Sequence, residues 1–405
     1  MKNKVIKLFN DGMVNILATG ILVLTQQFIV FPLISRNTTI EIFGMILIII
    51  AFKNILMQVL GGSLNNLKLI NYNKNDLNNY NLLLITSIFL AEIIAIALLI
   101  NYSRYLTIID NIFILVTIGL SIINIYGNVY YRLKLKYKRI LMFNISSISG
   151  SLLGLLIYTF YLNNWTVIFF MAEVSAFTFL ICSTPLFHDF SKGFRQGKFI
   201  SSQYLNLLFS SVISNVIIYF DRVLISPLLG EKAVSQFYVA SLTGKSFSLV
   251  VTPLNGVLLS YATRYKHKIT DNFFKILGFL VLIFIIISLP FLNYISPFFI
   301  NLLYPNIYED SKHLIYLANI VVITGIGSSI LNPFILIRCD LKWQSRINII
   351  YGVLYLALGI ILTNLFGLLG FCVSSIISNI IRLLLIYFVG IFANDSLSES
   401  EKKLK

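Results

Sequence analysis

Long apolar stretches alternate with short polar segments along the whole of the 405-residue chain. Each stretch holds 18 or more mostly apolar residues, enough for an α-helix to cross the ~30 Å hydrocarbon core of a bilayer. Because no long polar segment is left for a soluble domain, the pattern predicts an all-α polytopic membrane protein with about a dozen transmembrane helices. The predicted helices occupy residues 12–34, 40–62, 80–102, 108–130, 141–162, 165–187, 204–229, 233–262, 272–296, 313–337, 347–366 and 368–391.

The composition supports the membrane assignment. Hydrophobic residues make up 58% of the chain and charged residues only 12%, whereas a soluble protein carries about a quarter charged residues on its surface. The basic N-terminal segment MKNKVIKLFN resembles the start of a signal peptide, but no small-residue cleavage site follows it. We therefore expect this segment to be retained beside the membrane.

The distribution of Lys and Arg predicts the orientation. With a cytoplasmic N-terminus, 23 of the 31 Lys and Arg residues fall in cytoplasmic segments or at the cytoplasmic ends of helices, 4 in outer loops and 4 deeper inside predicted helices. This bias follows the positive-inside rule and predicts an even number of spans with both termini in the cytoplasm. The net charge of +15 then reflects topology. The basic run RLKLKYKR at 132–139 is accordingly expected to face anionic lipid headgroups, not nucleic acid.

Cysteine and histidine residues indicate no disulfide framework, metal site or catalytic centre. The cysteines are widely spaced and form no CxxC pair, and the histidines lie in or near predicted loops. No cofactor is predicted. These residues are Cys182, Cys339, Cys372, His188, His267 and His313.

The chain is predicted to form two six-helix halves. The N-terminal lobe would comprise residues 1–190 and the C-terminal lobe residues 203–393, joined by a polar cytoplasmic linker at 191–202 and followed by a cytoplasmic tail at 394–405. A weak echo supports duplication, because SRNTTIEIFG (35–44) and LGEKAVSQFY (229–238) share apolar residues at one constant offset. A parallel repeat of this kind usually places the substrate site between its halves.

Seven ionisable residues lie inside the predicted helices and away from their ends. A charge at mid-bilayer costs at least ~2.5–3.5 kcal/mol, so each of them calls for a partner or a function. Four are cations and three are carboxylates. They are Lys53, Glu92, Glu173, Asp221, Arg222, Lys245 and Arg382.

The four cations are predicted to bind an anionic substrate. Lys53 and Lys245 occupy similar depths in the second helix of each half, where they would line a polar cavity. Arg222 would add a guanidinium suited to bidentate phosphate contacts. Arg382 joins this set, although its position towards the cytoplasmic end of the last helix also allows it to extend to the membrane interface.

The three carboxylates, Glu92, Glu173 and Asp221, are predicted either to bind a coupling H⁺ or Na⁺ ion or to neutralise the nearby cations. For Asp221 and Arg222 a purely structural ion-pair network is an equal alternative. Adjacent helical residues point about 100° apart, so these two need not pair with each other.

Two stretches resemble known transporters. The stretch YFDRVLISPLLGEKAVSQFYVAS (219–241) resembles a conserved segment of bacterial polysaccharide flippases of the Wzx type, which belong to the multidrug/oligosaccharidyl-lipid/polysaccharide (MOP) exporter superfamily. A second stretch, YYRLKLKYKRILMFNISSISGSLLGLLIYTF (130–160), is similar to the family's basic loop and following helix. One departure is the segment FPLISRN, which replaces the family's frequent Pro-Tyr-Leu run. The matching residues of the first stretch are Asp221, Arg222, Ile225, Leu229 and Gly230.

The resemblance implies a MATE-like fold in which two lobes form a V around a cationic central cavity. It also implies a bacterial inner-membrane flippase for undecaprenyl-pyrophosphate-linked O-antigen or capsule repeat units. Lipopolysaccharide biosynthesis and other polysaccharide assembly proteins would be its context. The expected cycle is alternating access without covalent chemistry.

Three alternatives remain open. A drug or cation exporter on the same fold would favour acidic and aromatic cavity residues. A membrane-embedded enzyme, such as a polysaccharide polymerase, would need a large outer loop, but the loops near 297–312 are short, and only His313 with Glu309 and Asp310 suggests outer-face chemistry. A scaffold without transport would leave the mid-bilayer lysines unexplained.

Overall fold

A computed structural model describes residues 19–71, 80–186, 198–264, 270–339 and 341–392. The described residues form helices joined by short turns, with no β-strand in these ranges. The helices are α1 (Thr19–Arg36), α2 (Ile40–Ile70), α3 (Asn81–Ile100), α4 (Ile108–Leu133), α5 (Tyr137–Leu162), α6 (Thr166–Ser183), α7 (Lys198–Ile218), α8 (Phe220–Arg264), α9 (Asp271–Leu303), α10 (Pro305–Ser311), α11 (Ile315–Arg338) and α12 (Leu341–Phe392).

The described part of the chain contains 9 helices long and apolar enough to span a membrane, or 10 when the bent pair Ser202–Ile218 and Phe220–Leu249 is counted as one span. One of these, Trp343–Phe392, has 50 residues. At 1.5 Å per residue it would be about 75 Å long, more than twice the hydrocarbon thickness. It therefore must cross more than once.

Two glycines break the long helices. Gly367 interrupts α12 with φ 63° and ψ −142°, and Gly230 interrupts α8 with φ 82° and ψ 179°. Glycine lacks the β-carbon that excludes other residues from these conformations. Dividing α8 and α12 at these positions gives twelve long helical segments when the short helix α10 is left out and α7 is counted together with the part of α8 before Gly230 as one bent span. The predicted all-α polytopic fold is confirmed. The breaks also lie where the sequence predicted turns, after 229 and between 366 and 368.

The described residues form two compact units. The first comprises those of 1–38 and 45–220, and the second those of 39–44 and 221–405. The boundary thus follows α7, whereas the sequence analysis placed the joint at 191–202, most of which lies outside the described residues. The predicted cytoplasmic tail at 394–405 also lies outside them. The proposed six-helix lobes with those limits stay a prediction.

The first unit is held together by polar contacts as well as apolar packing. The Asn65 side chain on α2 donates to the carbonyl oxygen of Ile125 on α4 at 2.7 Å, and the hydroxyls of Ser87 and Tyr204 lie 2.7 Å apart, joining α3 to α7. Interhelical hydrogen bonds of this kind stabilise helix pairs in lipid, where hydrophobic burial adds little.

The second unit has an apolar core formed by α9, α11 and α12. Its buried members include Phe274, Leu331 and Ile386. The two segments that echo each other in sequence meet in this unit, because the Ser235 hydroxyl on α8 donates to the carbonyl oxygen of Ile40 at 2.6 Å. Gly44 lies so close to the backbone of Glu231 that any β-carbon there would collide with it.

Candidate functional site

Lys53 forms a buried ion pair in the first unit. Its Nζ lies 2.7 Å from Oε1 of Glu173, and the two side chains are only 10% and 13% exposed. Asn124 on α4 donates its amide to Oε2 of Glu173 at 2.8 Å. Three helices, α2, α4 and α6, therefore meet at one neutralised charge cluster, in which each carboxylate oxygen has a donor.

A small cavity adjoins Lys53 within the first unit. Its wall combines apolar side chains from α2, α4 and α6 with two hydroxyl groups. The ammonium of Lys53 thus borders a cavity on one side and the Glu173 carboxylate on the other. The lining residues are Ile49, Ile50, Lys53, Ile114, Thr117, Ile118, Trp165, Thr166 and Phe169.

Lys245 forms the corresponding ion pair in the second unit. Its Nζ lies 2.6 Å from Oδ2 of Asp221. Asp221 lies in the first turn of α8, immediately after the chain bends by 62° at Tyr219. A carboxylate there also faces the positive end of the helix dipole, which stabilises its charge.

Arg222 extends this second cluster towards aromatic side chains. Its guanidinium carbon lies 5.1 Å from the ring centroid of Tyr238, and the Tyr238 ring packs edge-on against Tyr304 at 6.4 Å. The Lys245 ammonium also lies 5.4 Å from the Phe237 ring. Aromatic faces attract cations, so the rings add to the stabilisation that Asp221 provides.

The two clusters differ in net charge. Lys53 and Glu173 balance each other, whereas Asp221 faces two cations, Arg222 and Lys245. The Lys245 side chain is 30% exposed, three times the exposure of Lys53. The second cluster therefore groups two cations around one carboxylate, and its lysine is the more exposed of the two lysines.

Arg382 stands apart from both clusters. Its guanidinium carbon lies 4.6 Å from the ring centroid of Tyr351, whose hydroxyl donates to Oδ1 of Asn379 at 3.2 Å. Asn379 in turn donates to the carbonyl oxygen of Val321 at 2.9 Å. Within the described ranges, Arg382 makes no ion pair with any of the other six predicted charged residues. Its predicted role in substrate binding is untested.

Glu92 is the third predicted carboxylate, and it pairs with neither lysine. It lies in the middle of α3 beside Gly119 of α4, where a β-carbon would come within 3.1 Å of its Oε1. The prediction that carboxylates neutralise the cations thus describes the contacts of Glu173 and Asp221 but not those of Glu92.

The two carboxylates of the polymerase alternative each contact a lysine. Glu309 accepts a hydrogen bond from Lys312 at 2.5 Å, and Asp310 lies 3.6 Å from Lys232. Among the described residues, no group of three or more His, Cys, Asp and Glu side chains is arranged to hold a metal ion.

Sequence analysis did not identify the partners of these charges. The pairing of α2 with α6 through Lys53 and Glu173 has no local signature, and neither has the stacking of Arg382 on Tyr351. Nothing in the sequence around Asn124 indicates its contact with Glu173 on α6 either.

No protein-family profile and no curated protein sequence matches this chain. Solved structures do match. The lipid II flippase MurJ in an inward closed conformation aligns with a TM-score of 0.66 and 14% identity, over 96% of this chain and 87% of that chain. An inward-facing multidrug resistance MATE family transporter of the MOP superfamily aligns with a TM-score of 0.57 and 13% identity, over 96% of both chains.

The Vibrio cholerae MATE transporter VcmN in its bent form also aligns, with a TM-score of 0.54 and 13% identity over 96% of this chain and 97% of that chain. This chain therefore has the fold of MOP-superfamily transporters, as the resemblance implied. These low identities show the fold alone. The matches therefore do not distinguish a Wzx-type flippase from other transporters with this fold.

Proposed function

We propose that this protein is a flippase that moves undecaprenyl-pyrophosphate-linked oligosaccharide repeat units, of O-antigen or capsule, from the cytoplasmic to the periplasmic face by alternating access. The observation that carries the proposal is the Asp221–Arg222–Lys245 cluster, in which two cations lie beside one carboxylate. The fold supports it, since one matching structure is described as a lipid II flippase. Fold alone does not determine a substrate, so the charged residues carry the argument.

A lipid-linked oligosaccharide diphosphate needs positive charges and hydrogen-bond donors, which Arg222 and Lys245 provide. Sugars and a diphosphate cannot cross hydrocarbon unaided, because each unmet polar group costs several kcal/mol. Arg222 presents a planar fork of donors for phosphate oxygens, and Lys245 presents a compact ammonium. A diphosphate would compete with Asp221 for these cations, so binding exchanges one anionic partner for another and leaves no bare charge.

The Lys53–Glu173 pair is proposed to contribute in the same way from the first unit. Glu173 accepts a hydrogen bond from the lysine and another from Asn124, and these contacts fix the orientation of the lysine while no substrate is bound. Because this pair is already neutral, we expect Lys53 to bind an anion more weakly than the second cluster does.

The same proposal implies a location in the cell, an orientation in the membrane and an energy source. The protein would lie in the bacterial inner membrane with both termini in the cytoplasm, as the Lys and Arg bias indicates. It would work beside other polysaccharide assembly proteins. Transport would need no cofactor or covalent chemistry, and a H⁺ or Na⁺ gradient would drive it.

A second candidate is a multidrug exporter. The observation that favours it is the cluster of buried aromatic rings formed by Phe43, Tyr238 and Tyr304, together with the fold shared with multidrug MATE transporters. Aromatic faces suit organic cations. The excess of cations beside Tyr238 repels such substrates, so we place this function second.

Complementation tests the proposal. The protein is expressed with its cognate sugar-assembly genes in a host that lacks its own flippase, and surface polysaccharide is measured. Wild type should restore it, and Lys245→Ala and Arg222→Ala should abolish it at equal membrane expression. Lys312→Ala is the matched control, since Lys312 also pairs with a carboxylate but is exposed. Drug resistance without polysaccharide would favour the exporter instead.

A further inference from the structure

An open cavity lies at one end of the first unit, beside the turns that follow α1 and α5. Its volume is about 520 Å³, within the range of about 300–1,000 Å³ that small-molecule sites occupy. None of the six lining residues is charged, and five of them carry an amide or a hydroxyl group. All six belong to the first unit. They are Asn37, Tyr158, Thr159, Phe160, Tyr161 and Asn163.

The turns after α1, α3 and α5 converge at this end of the unit. Asn37 follows α1, and its side chain lies beside the hydroxyl of Tyr158 near the end of α5. Asn164, in the turn after α5, donates its amide to Oδ1 of Asp110 in the first turn of α4 at 2.6 Å. In the orientation that the Lys and Arg bias predicts, all three turns face the outer side of the membrane.

The backbone that forms one wall of the cavity is fixed by its own hydrogen bonds. The last turn of α5 is a π-helix over Tyr158–Leu162, a form that is frequent at functional sites. It ends at Asn163 with φ 45° and ψ 29°, a left-handed conformation that asparagine adopts more readily than most residues. The N–H of Asn163 donates to the carbonyl oxygen of Tyr158 at 3.2 Å. Asn164 then accepts from the N–H of Thr166 at 2.9 Å, so the wall is formed before any ligand binds.

The side chains around the cavity offer the contacts that bind sugars. Phe160 and Tyr161 are 76% and 84% exposed, and the negatively polarised face of an aromatic ring attracts the C–H groups on one side of a sugar ring. Asn37 and Asn163 are also exposed, and each amide both donates and accepts hydrogen bonds, as neighbouring sugar hydroxyls require. The uncharged lining suits a neutral sugar better than it suits a phosphate headgroup.

Tyr158 adds a buried hydroxyl to this site. The residue is 3% exposed, and although Asn37 lies beside it, its hydroxyl forms no hydrogen bond of normal geometry within the described ranges. A buried hydroxyl without a partner is costly, and phenylalanine would pack there without that cost. A sugar hydroxyl in the cavity would provide the missing partner.

An aromatic belt at the membrane interface is the other explanation of Phe160 and Tyr161. A belt residue needs only lipid and water around its ring. It does not require a cavity that also contains two asparagines and a buried tyrosine hydroxyl. Tyr294 on α9, in the second unit, is 86% exposed and provides a matched residue for comparison.

From this geometry we propose that the cavity is an oligosaccharide-binding subsite for neutral sugar residues at the outer end of the first unit. The inference rests on the proposed flippase function and deepens it, because it assigns a binding site to the sugar part of the substrate. The cations of the second unit would bind the diphosphate during transport. The cavity would hold the sugars at the outer face before the product dissociates.

Binding of free sugars tests the subsite without the lipid. The protein in phospholipid nanodiscs is titrated with neutral trisaccharides of hexose and N-acetylhexosamine units, and saturation-transfer NMR measures their binding. Wild type should bind at least one of them. Tyr161→Ala should weaken this binding by about tenfold, equivalent to about 1.4 kcal/mol, and Tyr158→Phe, which keeps the buried ring, by about threefold. Tyr294→Ala is the matched control and should bind as wild type does.

Two results of this titration would overturn the subsite. One is that wild type binds none of the trisaccharides. The other is that Tyr161→Ala binds them as wild type does, or loses no more affinity than Tyr294→Ala. Native mass spectrometry of the same samples measures retained phospholipid. Loss of phospholipid from Tyr161→Ala with unchanged sugar binding would identify the two aromatic rings as an interfacial belt.

A flipping assay separates the subsite from the proposed function. Vesicles carry the best-bound trisaccharide linked to undecaprenyl pyrophosphate, and lectin accessibility reports its transfer. Wild type and Tyr294→Ala should flip at the same rate, and Tyr161→Ala more slowly. Equal rates for wild type and Tyr161→Ala would overturn the role of the subsite in transport and leave the flippase function intact. Trisaccharide binding by a wild-type protein that flips no lipid-linked sugar would instead contradict the proposed function.

Discussion

Lys53 and Glu173 lie 120 positions apart in the sequence and meet at 2.7 Å inside the first unit. With exposures of 10% and 13%, both charges depend on each other, because little water reaches either of them. Removing one partner of a buried pair leaves an uncompensated charge, which costs far more than the net contribution of the pair.

We therefore expect Lys53→Ala or Glu173→Gln alone to lower the free energy of unfolding by about 3–5 kcal/mol. The double variant Lys53→Met with Glu173→Leu should be much less destabilised, because both charges are gone. Thermal unfolding of the purified protein in detergent measures this. If the two single effects simply added in the double variant, the ion pair would not exist in the folded protein.

The Asp221–Lys245 pair permits a charge exchange. We expect Asp221→Lys alone to destabilise the protein by placing three cations together, and addition of Lys245→Asp to restore most of the lost stability. Transport should stay low in the exchanged protein, since the ammonium no longer lies where Lys245 presents it to a substrate. Unfolding temperature and surface polysaccharide are the two measurements.

Restoration of both properties would show that the pair serves only the fold. A control at the surface is Lys312→Glu with Glu309→Lys, where the pair is exposed. Exposed pairs contribute little to stability, so neither single change there should shift the unfolding temperature by much.

Hydropathy predicted the helices of this chain well because the bilayer imposes a minimum length and an apolar surface on each of them. It also located the breaks at Gly230 and Gly367, where short polar or glycine-containing turns separate two apolar runs. The local pattern of apolar and polar residues was sufficient to predict both the helices and these two breaks.

The sequence did not predict which carboxylate contacts each of the buried lysines. Glu173 and Asp221 are equally plausible neighbours of either lysine in sequence, and only helix packing decides between them. The boundary between the compact units, after Phe220, also has no signal in the sequence, because a polar segment such as 191–202 indicates exposure to water and not the contacts of the helix that follows. Helix α7 shows this, since its Tyr204 bonds to Ser87 of α3.

Arg382 stacks on Tyr351 at 4.6 Å, and we expect this contact to be separable from substrate binding. Tyr351→Leu should lower stability by about 1–2 kcal/mol, because a desolvated cation–π contact is lost. Tyr351→Phe keeps the ring and should cost less, through the hydrogen bond to Asn379 alone. Thermal unfolding of both variants provides the comparison. Equal losses would show that the hydroxyl matters and the ring does not.

Gly230 and Gly367 provide a test of the helix breaks themselves. No atom outside the local backbone lies within 4 Å of where a β-carbon would be placed on either residue, so substitution by alanine changes only the conformational preference. Both have positive φ in regions that essentially only glycine occupies, where another residue costs about 1–3 kcal/mol.

We expect Gly230→Ala and Gly367→Ala each to lower the unfolding temperature. Gly20→Ala is the matched control, since Gly20 is equally free of contacts but lies in helix α1, where alanine is favoured over glycine by ~0.5–1 kcal/mol. The control should therefore be neutral or stabilising. Equal behaviour of the three variants would mean that α8 and α12 run straight through these positions, and a helix of that length could not be folded into two crossings.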